Sequence, residues 1–364
     1  MLMEPSKPKL TWKTVLFPLM GLVAFFLYIY LFQVDLIGIL EIVKTVNPLL
    51  YAAAIVCGSL EVLFYSISWR ILTNHIGIKM TLWRTYLYVW YGLYVDIVVP
   101  AESISGEVTR AYLLARDQCG IFGKVVASLF THRLLGMMMN VVILVIGVVL
   151  LSVEGQVSSV VFNLIIFIAV AITALIIAMT VFSFKLTWTL KLIDAATRFA
   201  EKMTRGKWTF IKLREEAFKI TEHFHEGMTE YRYNAKPLAI SFVYLSVTWF
   251  FSLSVPFLVF LALGYSVSWS IILITAAIVL AVKSIPIGIP FEVGIPEAAM
   301  TTLYIALGVP AALAATATIL SRIITLWFRF FVGFAAQQYV ELRPALTQKA
   351  DTEKTKNKSA PNSI

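Results

Sequence analysis

Long apolar runs separated by short polar stretches dominate this chain. Each run is rich in Leu, Ile, Val, Ala and Phe, and the runs cover residues 15–32, 47–69, 125–151, 158–184, 237–263 and 312–334. An α-helix needs roughly 20 apolar residues to cross a hydrocarbon core about 30 Å thick. The pattern therefore predicts six transmembrane helices.

Two further regions are apolar but interrupted. The first joins an aromatic-rich stretch at 83–99 to the polar stretch VVPAESISGEVTRAYLLARD at 98–117. The second, at 269–308, reads as an apolar run, then KSIPIGIPFEVGIPEAAM, then a short apolar run. Its centre contains five helix-breaking residues, namely Pro286, Gly288, Pro290, Gly294 and Pro296. We expect both regions to be broken or re-entrant helices.

The composition excludes a soluble domain. Hydrophobic residues make up 59% of the chain, charged residues only 14%, and the mean hydropathy is +0.83. A net charge of +9 would suggest nucleic acid in a soluble protein, but here Lys and Arg lie mainly in connections and tails, as the positive-inside rule expects. Neither Cys57 nor Cys119 has metal-ligand spacing around it. We expect a polytopic membrane protein without a cofactor, metal or nucleic-acid partner.

Loop charges assign the polar segments to the two sides of the membrane. The N-terminus is basic, and the 70–84 loop contains Lys and Arg but no acid. The 185–236 segment contains eleven basic and seven acidic residues, so the rule places all three in the cytoplasm. This parity requires a re-entrant hairpin from 83 to about 120 that enters and leaves on the cytoplasmic side. Region 269–308 then begins and ends outside, as a re-entrant pair or as two short crossings, and the C-terminus is cytoplasmic.

The two interrupted regions also resemble each other. Glu107 precedes Arg133 by 26 residues, and Glu297 precedes Arg322 by 25. Because one region opens inward and the other outward, the pattern indicates an inverted repeat with a transport site near the midplane. We predict an all-α polytopic membrane protein with about six to eight transmembrane helices and two re-entrant or broken helical regions in an inverted repeat.

One membrane domain at 1–340 is expected to hold both copies. It comprises a first repeat at about 47–151, a cytoplasmic amphipathic segment at 185–236 and a second repeat at about 237–340, followed by a disordered cytoplasmic tail at 341–364. The amphipathic segment alternates apolar and charged positions. This alternation suits helices lying on the inner leaflet, although a solvated connector explains it nearly as well.

Short motifs in the two interrupted regions carry a resemblance to a known family. They comprise Pro100, Gly106, Glu107, Arg110 and Arg133 in the first copy, and Gly294, Glu297, Ala298, Ala299, Gly308, Val309 and Arg322 in the second. In order and spacing they resemble the lysylphosphatidylglycerol synthase transmembrane region. This flippase-like domain is the membrane half of multiple peptide resistance factor and also occurs as stand-alone proteins. The resemblance covers nearly the whole chain to about residue 340 and implies a fold with re-entrant helices that moves a lipid headgroup between leaflets.

Two departures from the family pattern affect what the resemblance implies. Residues 291–293 read Phe-Glu-Val where the family often has further glycine, and Pro296 stands where it often has a basic residue. The charge preference for the substrate is therefore open. The chain also leaves no room for the aminoacyl-transferase domain of the synthase, so a lipid-modifying transferase would be a separately encoded partner.

The charged residues of the first region are candidates for binding a lipid headgroup. Arg110 and Arg133 would contact a phosphate, because the planar guanidinium fork suits it. Glu102 and Glu107 would contact an amine or hydroxyls. Glu107 and Arg110 are three residues apart, so on a helix they share a face and can pair. The alternative is a cytoplasmic loop helix at the interface, and the repeat favours the functional interpretation.

The second region offers the equivalent candidates. Glu292 and Glu297 would form the mirror-image site, since irregular backbone at membrane depth must be buried in protein or line a cavity. Their alternative is an extracellular loop. Arg322 lies well inside the final span and needs a partner, whereas Arg329 is expected to snorkel. Asp96 would cap the re-entrant turn or join the cavity.

Glu61 falls in the middle of the span at 47–69. An intramembrane acid is a functional candidate by default, and the equal alternative is a structural ion pair with Arg133 or Arg322. His132, beside Arg133, is expected to pack or to form a hydrogen bond rather than to relay protons.

These features predict a lipid flippase that moves a phospholipid or polyprenyl-linked headgroup through a charged intramembrane cavity. Without an ATP-binding element, transport would be downhill or ion-coupled. Membrane lipids are the expected partners, and a homodimer is compatible with the sequence. The alternatives are an intramembrane enzyme, disfavoured by the lack of a recognisable catalytic motif, and an accessory subunit in lipid or polyprenyl-phosphate glycosylation.

Overall fold

The computed structural model describes residues 46–99, 104–118, 122–154, 159–185, 211–283 and 294–342, together with positions 44, 190 and 194. Ten helices can be followed in this part of the chain, which contains no strand. They are α1 (Pro48–His75), α2 (Leu82–Val98), α3 (Ile104–Asp117), α4 (Phe122–Val153), α5 (Ser159–Phe184), α6 (Ile211–Tyr233), α7 (Lys236–Ala262), α8 (Trp269–Lys283), α9 (Ile295–Ala306) and α10 (Ala311–Leu342). The predicted all-α architecture is confirmed.

The long helices coincide with the predicted spans. Helices α1, α4, α7 and α10 have the length and apolar composition needed to cross a membrane. Helix α5 covers the run predicted at 158–184, and Ile165–Val181 is its apolar part. The run predicted at 15–32 and most of the 341–364 tail lie outside the described residues, although α10 continues to Leu342.

Helices α2 and α3 form a tight antiparallel hairpin. Tyr88 near the start of α2 donates a hydrogen bond to Asp117 at the end of α3. Farther along, a Cβ on Gly92 would lie 3.0 Å from the carbonyl oxygen of Gly106, so the two backbones almost touch. The helices have 17 and 14 residues, or about 26 and 21 Å of helix, less than a hydrocarbon core needs. Two short helices in close antiparallel contact fit the predicted re-entrant hairpin.

Helices α8 and α9 are shorter still. They have 15 and 12 residues, or about 22 and 18 Å of helix. Both lengths are below the roughly 20 residues of a typical span, which fits either of the two arrangements that the sequence left open, a re-entrant pair or two short crossings. Gly294 opens α9 with a φ of 102°, a conformation that residues with a side chain rarely adopt.

The same order of helices occurs twice. Helices α1 to α4 have 28, 17, 14 and 32 residues. Helices α7 to α10 have 27, 15, 12 and 32 residues. Helices α1 and α7 pack together and run antiparallel, since Asn47 donates its backbone N–H to Ala262 at 2.9 Å and Ser68 meets Ser241 at 2.7 Å. Equivalent helices of opposite direction at the centre fit the predicted inversion.

The last long helix of each half also packs against the other half. Helix α4 packs on α8. A Cβ on Gly147 of α4 would lie 2.9 Å from the Ile274 side chain of α8. Helix α10 approaches α2 in the same way, because a Cβ on Gly333 would lie 2.7 Å from the carbonyl oxygen of Trp90. The core is therefore shared between the two repeats.

Helix α6 is the described part of the predicted amphipathic segment. It packs on the first half of α4, where Lys124 lies 2.9 Å from Glu230 and Gly227 faces Ala127. Its exposed charged side chains, among those described, are Glu215, Glu216, Lys219, Glu222, Glu226 and Arg232. The inner-leaflet location of the 185–236 segment stays a prediction, since most of that segment lies outside the described residues. Helix packing, which the charge count could not show, decides which face is left outside.

Candidate functional site

Among the described residues, three ion pairs join a glutamate to an arginine of α4 or α10. They join Glu107 to Arg133, Glu297 to Arg322 and Glu61 to Arg329. In each pair the arginine belongs to α4 or α10, the long helix that ends a repeat. Five of these six residues were predicted as site residues, and Arg329 was not. Glu102 and Glu292, which were also predicted, lie outside the described residues.

Glu107 of α3 pairs with Arg133 of α4. The carboxylate oxygen and the guanidinium nitrogen are 3.2 Å apart, and the side chains are 21% and 30% exposed. The sequence predicted that Glu107 could pair with Arg110 on its own helix. The structure instead directs Arg110 into the protein and leaves Glu107 to the neighbouring helix. This pair can therefore be reached from outside the protein core.

Arg110 is buried between aromatic rings. Its guanidinium carbon lies 5.6 Å from the ring centre of Tyr65 and 5.2 Å from that of Trp69. Its Nε donates to the carbonyl oxygen of Gly106 at 3.4 Å, and only 5% of the residue is exposed. Cation–π contacts in such desolvated positions stabilise a charge by about 2 kcal/mol. Arg110 is thus packed inside the protein, and its contact with a phosphate stays a prediction.

Asp96 caps the second arm of the hairpin. Its carboxylate accepts hydrogen bonds from the Ser105 hydroxyl at 2.8 Å and from the Gly106 backbone N–H at 2.6 Å. These groups lie in the first turn of α3, where backbone N–H groups lack helical partners. Of the two roles predicted for Asp96, capping is confirmed. A side chain at position 106 would collide with this carboxylate.

His132 and Tyr65 connect the first repeat to α7. The His132 ring lies edge-on to Tyr65, with ring centres 4.5 Å apart, and its Nε2 is 3.1 Å from the Ser68 hydroxyl. Ser68 in turn meets Ser241 of α7. The prediction that His132 packs and forms a hydrogen bond is confirmed. Sequence reasoning missed Tyr65, although its position one turn after Glu61 was a usable signal.

Glu297 and Arg322 form the most enclosed of the three pairs. Their side chains are 3% and 9% exposed. The other carboxylate oxygen of Glu297 accepts the Gly294 backbone N–H at 2.6 Å, which ties the pair to the first turn of α9. The prediction that Arg322 needs a partner is confirmed. The buried pair joins α9 to α10, and its part in a mirror-image substrate site stays a prediction.

Glu61 and Arg329 form an ion pair between the two repeats. Glu61 lies half-way along α1, and Arg329 lies near the middle of α10. The side chains are 15% and 19% exposed. The predicted alternative partners, Arg133 and Arg322, are both wrong, because each pairs with another glutamate. The expectation that Arg329 snorkels is wrong for the same reason, since its guanidinium group turns inward to α1.

A π-helical segment explains how two arginines of α10 reach different partners. Residues seven apart on a regular α-helix differ in direction by only about 20°. Arg322 and Arg329 are seven apart, but Ile323–Phe328 between them forms a π-helix, whose wider turns rotate the following residues. Arg322 therefore faces α9 while Arg329 faces α1. We find no pattern in the sequence that indicates this π-helix.

The accessible pairs and the buried arginine form one contiguous group, here called the central charged cluster. It consists of Glu61, Tyr65, Glu107, Arg110, Arg133 and Arg329. Tyr65 is the connecting residue, because it lies one turn from Glu61 and contacts both Arg110 and His132, the neighbour of Arg133. Asp96 adds a further favourable charge near Arg110. The cluster thus draws on both repeats, and Asp96 offsets the excess of one positive charge that its three arginines have over its two glutamates.

Comparisons with known proteins agree with the resemblance seen in the motifs. The sequence model of one family, described as the lysylphosphatidylglycerol synthase TM region, matches residues 16–333. A UPF0104 membrane protein of Pyrococcus horikoshii is 22% identical over 284 residues, which cover 77% of this chain and 84% of that protein. A UPF0104 membrane protein of Methanothermobacter thermautotrophicus is 22% identical over 307 residues, which cover 82% and 88%.

Proposed function

Because the chain belongs to the lysylphosphatidylglycerol synthase TM region family, and its function therefore relates to membrane lipids, we propose that it is a lipid flippase. It would move the headgroup of a phospholipid or polyprenyl-linked lipid between the leaflets by alternating access. Transport would be downhill or coupled to an ion. A separate transferase that modifies the lipid would act before or after it.

The ion pair between Glu61 and Arg329 is the observation that carries this proposal. A charge at the centre of a bilayer costs about 2.5 to 3.5 kcal/mol on insertion scales, so unpaired charges there are rare. This pair lies half-way along two long helices, joins the two repeats and remains partly accessible. A purely structural pair would be expected to be sealed, as Glu297 and Arg322 are.

The accessible pairs suggest how a headgroup would be held. Its phosphate would bind Arg133 and Arg329, because an arginine forms two parallel hydrogen bonds to phosphate oxygens. Glu107 and Glu61, released from their arginines, would bind an amine or hydroxyl of the headgroup. The cluster would then exchange internal ion pairs for pairs with the lipid, so that each of these glutamates and arginines would keep a partner of opposite charge.

Movement of the cluster between leaflets would follow from its place between the repeats. The two re-entrant hairpins belong to different halves, and Glu61 and Arg329 connect those halves. Breaking this contact when a headgroup binds would allow one half to move relative to the other. The free energy of headgroup binding would thus compensate for the loss of the ion pair that holds the two halves together.

Lipid translocation in proteoliposomes tests the proposal. Labelled phospholipids with several headgroups would be followed by quenching of the label in the outer leaflet. We expect translocation by the wild type and at least a tenfold slower rate for Glu107→Gln and Arg133→Ala. Lys124→Gln removes a comparable pair, to Glu230 outside the cluster, and should retain the wild-type rate.

The possible outcomes separate the site from the function. If Glu107→Gln and Arg133→Ala both translocate at the wild-type rate, the cluster is not the site. If the wild type moves none of the headgroups, the transporter hypothesis itself is wrong.

A further inference from the structure

A pocket lies where the start of α2, the end of α3 and the end of α10 meet. Its volume is about 430 Å³, in the range of small-molecule sites. The polar part of its wall comes from Arg84 and Tyr88 of α2 and from Arg116 and Asp117 of α3. Tyr339 of α10 completes it. We call it the interfacial pocket.

The position of this pocket corresponds to the lipid headgroups of one leaflet. Tyr339 lies ten residues beyond Arg329, or about 15 Å of helix, which is half the thickness of a hydrocarbon core. Trp83 and Tyr339 line the pocket and are 57% and 47% exposed. Exposed Trp and Tyr are enriched at this level of membrane proteins.

The charges of the interfacial pocket are paired but accessible. The nearest guanidinium nitrogen of Arg84 lies 3.4 Å from an Asp117 oxygen, and that of Arg116 lies 3.4 Å from a Glu341 oxygen beside the pocket. Strong hydrogen bonds between such groups are about 2.7 to 2.9 Å long, so neither pair is optimal. The side chains of Arg84 and Arg116 are 48% and 33% exposed. An incoming ligand can therefore compete for them.

Arg84, Arg116 and Asp117 line the pocket, and Glu341 pairs with Arg116 beside it, so charges of both signs are available to a ligand that itself carries both. A phosphodiester would bind between the guanidinium groups of Arg84 and Arg116. An ammonium group would bind the carboxylates of Asp117 and Glu341 that the arginines release. A ligand with phosphate alone would leave both carboxylates near it without a cationic partner. The tyrosines that donate to the carboxylates, Tyr88 and Tyr91, would keep them in place.

We propose that the interfacial pocket binds the headgroup of a zwitterionic phospholipid with a primary amine. This site is separate from the central charged cluster and does not depend on the proposed translocation. Its wall includes both arms of the α2–α3 hairpin and the end of α10. A bound headgroup would therefore hold the hairpin against α10.

Native mass spectrometry of the full chain in detergent tests this assignment. The protein would be equilibrated with equal amounts of phosphatidylethanolamine and phosphatidylglycerol. We expect one retained lipid with at least a fivefold preference for phosphatidylethanolamine, and at least a fivefold loss of that adduct in Arg84→Gln and Arg116→Gln. Lys79→Gln removes an exposed positive charge from the neighbouring loop and should retain the wild-type adduct.

A second variant tests the amine part of the assignment independently of overall folding. Glu341→Gln should still retain a lipid but should lose most of the preference between the two headgroups. The proposal is overturned if the wild type retains both lipids equally, or if neither arginine variant changes the adduct. Soluble glycerophosphoethanolamine distinguishes the source of the ligand. If it binds as tightly as the lipid, the pocket takes a soluble phosphodiester and the lipid assignment is wrong.

Discussion

Replacing Glu61 with Gln isolates the contribution of the ion pair between the repeats. The change leaves the Arg329 charge near the middle of α10 without its carboxylate. Breaking a buried pair costs about 3 to 5 kcal/mol, and a lone charge at the bilayer centre costs about 2.5 to 3.5 kcal/mol. Both side chains retain 15 to 19% exposure, which lowers the penalty. We therefore expect Glu61→Gln to reduce the free energy of unfolding by about 2 to 3 kcal/mol.

The double variant Glu61→Gln with Arg329→Gln separates stability from function. It removes both charges together, so no unpaired charge remains, and its loss of stability should be no larger than that of either single variant. The expected coupling energy is about 2 to 3 kcal/mol. The wild type, the two single variants and the double variant form a double-mutant cycle. Their free energies of unfolding are measured by SDS titration in mixed micelles, followed by tryptophan fluorescence. Coupling below about 0.5 kcal/mol would refute a direct interaction. A stable double variant that translocates lipid at the wild-type rate would refute the role of the pair in transport.

Three further substitutions test the packing around the site. Gly106→Ala should destabilise the protein by about 1 to 3 kcal/mol in the same unfolding assay, because the new methyl group meets the Asp96 carboxylate. Arg110→Lys should cost about 1 to 2 kcal/mol, since a lysine keeps the charge but loses the planar stacking on Tyr65, and it should slow translocation at unchanged expression. Glu297→Gln should cost about 3 kcal/mol by leaving Arg322 without its carboxylate, seen as a lower melting temperature.

Matched controls and contrary outcomes accompany these substitutions. Gly136→Ala in α4 adds the same methyl group where no atom lies within 4 Å, so it should be neutral. Equal effects of Gly106→Ala and Gly136→Ala would contradict the close approach in the hairpin. An unchanged stability for Arg110→Lys would mean that charge alone holds this residue. A neutral Glu297→Gln would show that the sealed pair contributes nothing net.

The spacing of Glu107 and Arg133, and of Glu297 and Arg322, is enough to place two of the three ion pairs at corresponding positions of the two repeats. The partners themselves were only partly predictable. Glu107 could pair with Arg110 on its own helix or with Arg133 on the next helix. The sequence does not show which of these two pairs forms, because the second depends on how the helices pack. The burial of Arg110 on Tyr65 and Trp69 decided the outcome.

The sequence by itself determined the membrane class, the all-α architecture and the long apolar helices α1, α4, α7 and α10. The reason is that insertion into a bilayer depends on hydrophobicity and charge counted residue by residue along the chain. Tertiary structure alone decided that Glu61 meets Arg329, that Arg110 is buried, and which face of α6 is left outside. These outcomes depend on the direction in which each side chain leaves its helix. That direction is set by helix packing and by the π-helix at Ile323–Phe328. Neither can be read from the hydrophobicity and charge counted along the chain.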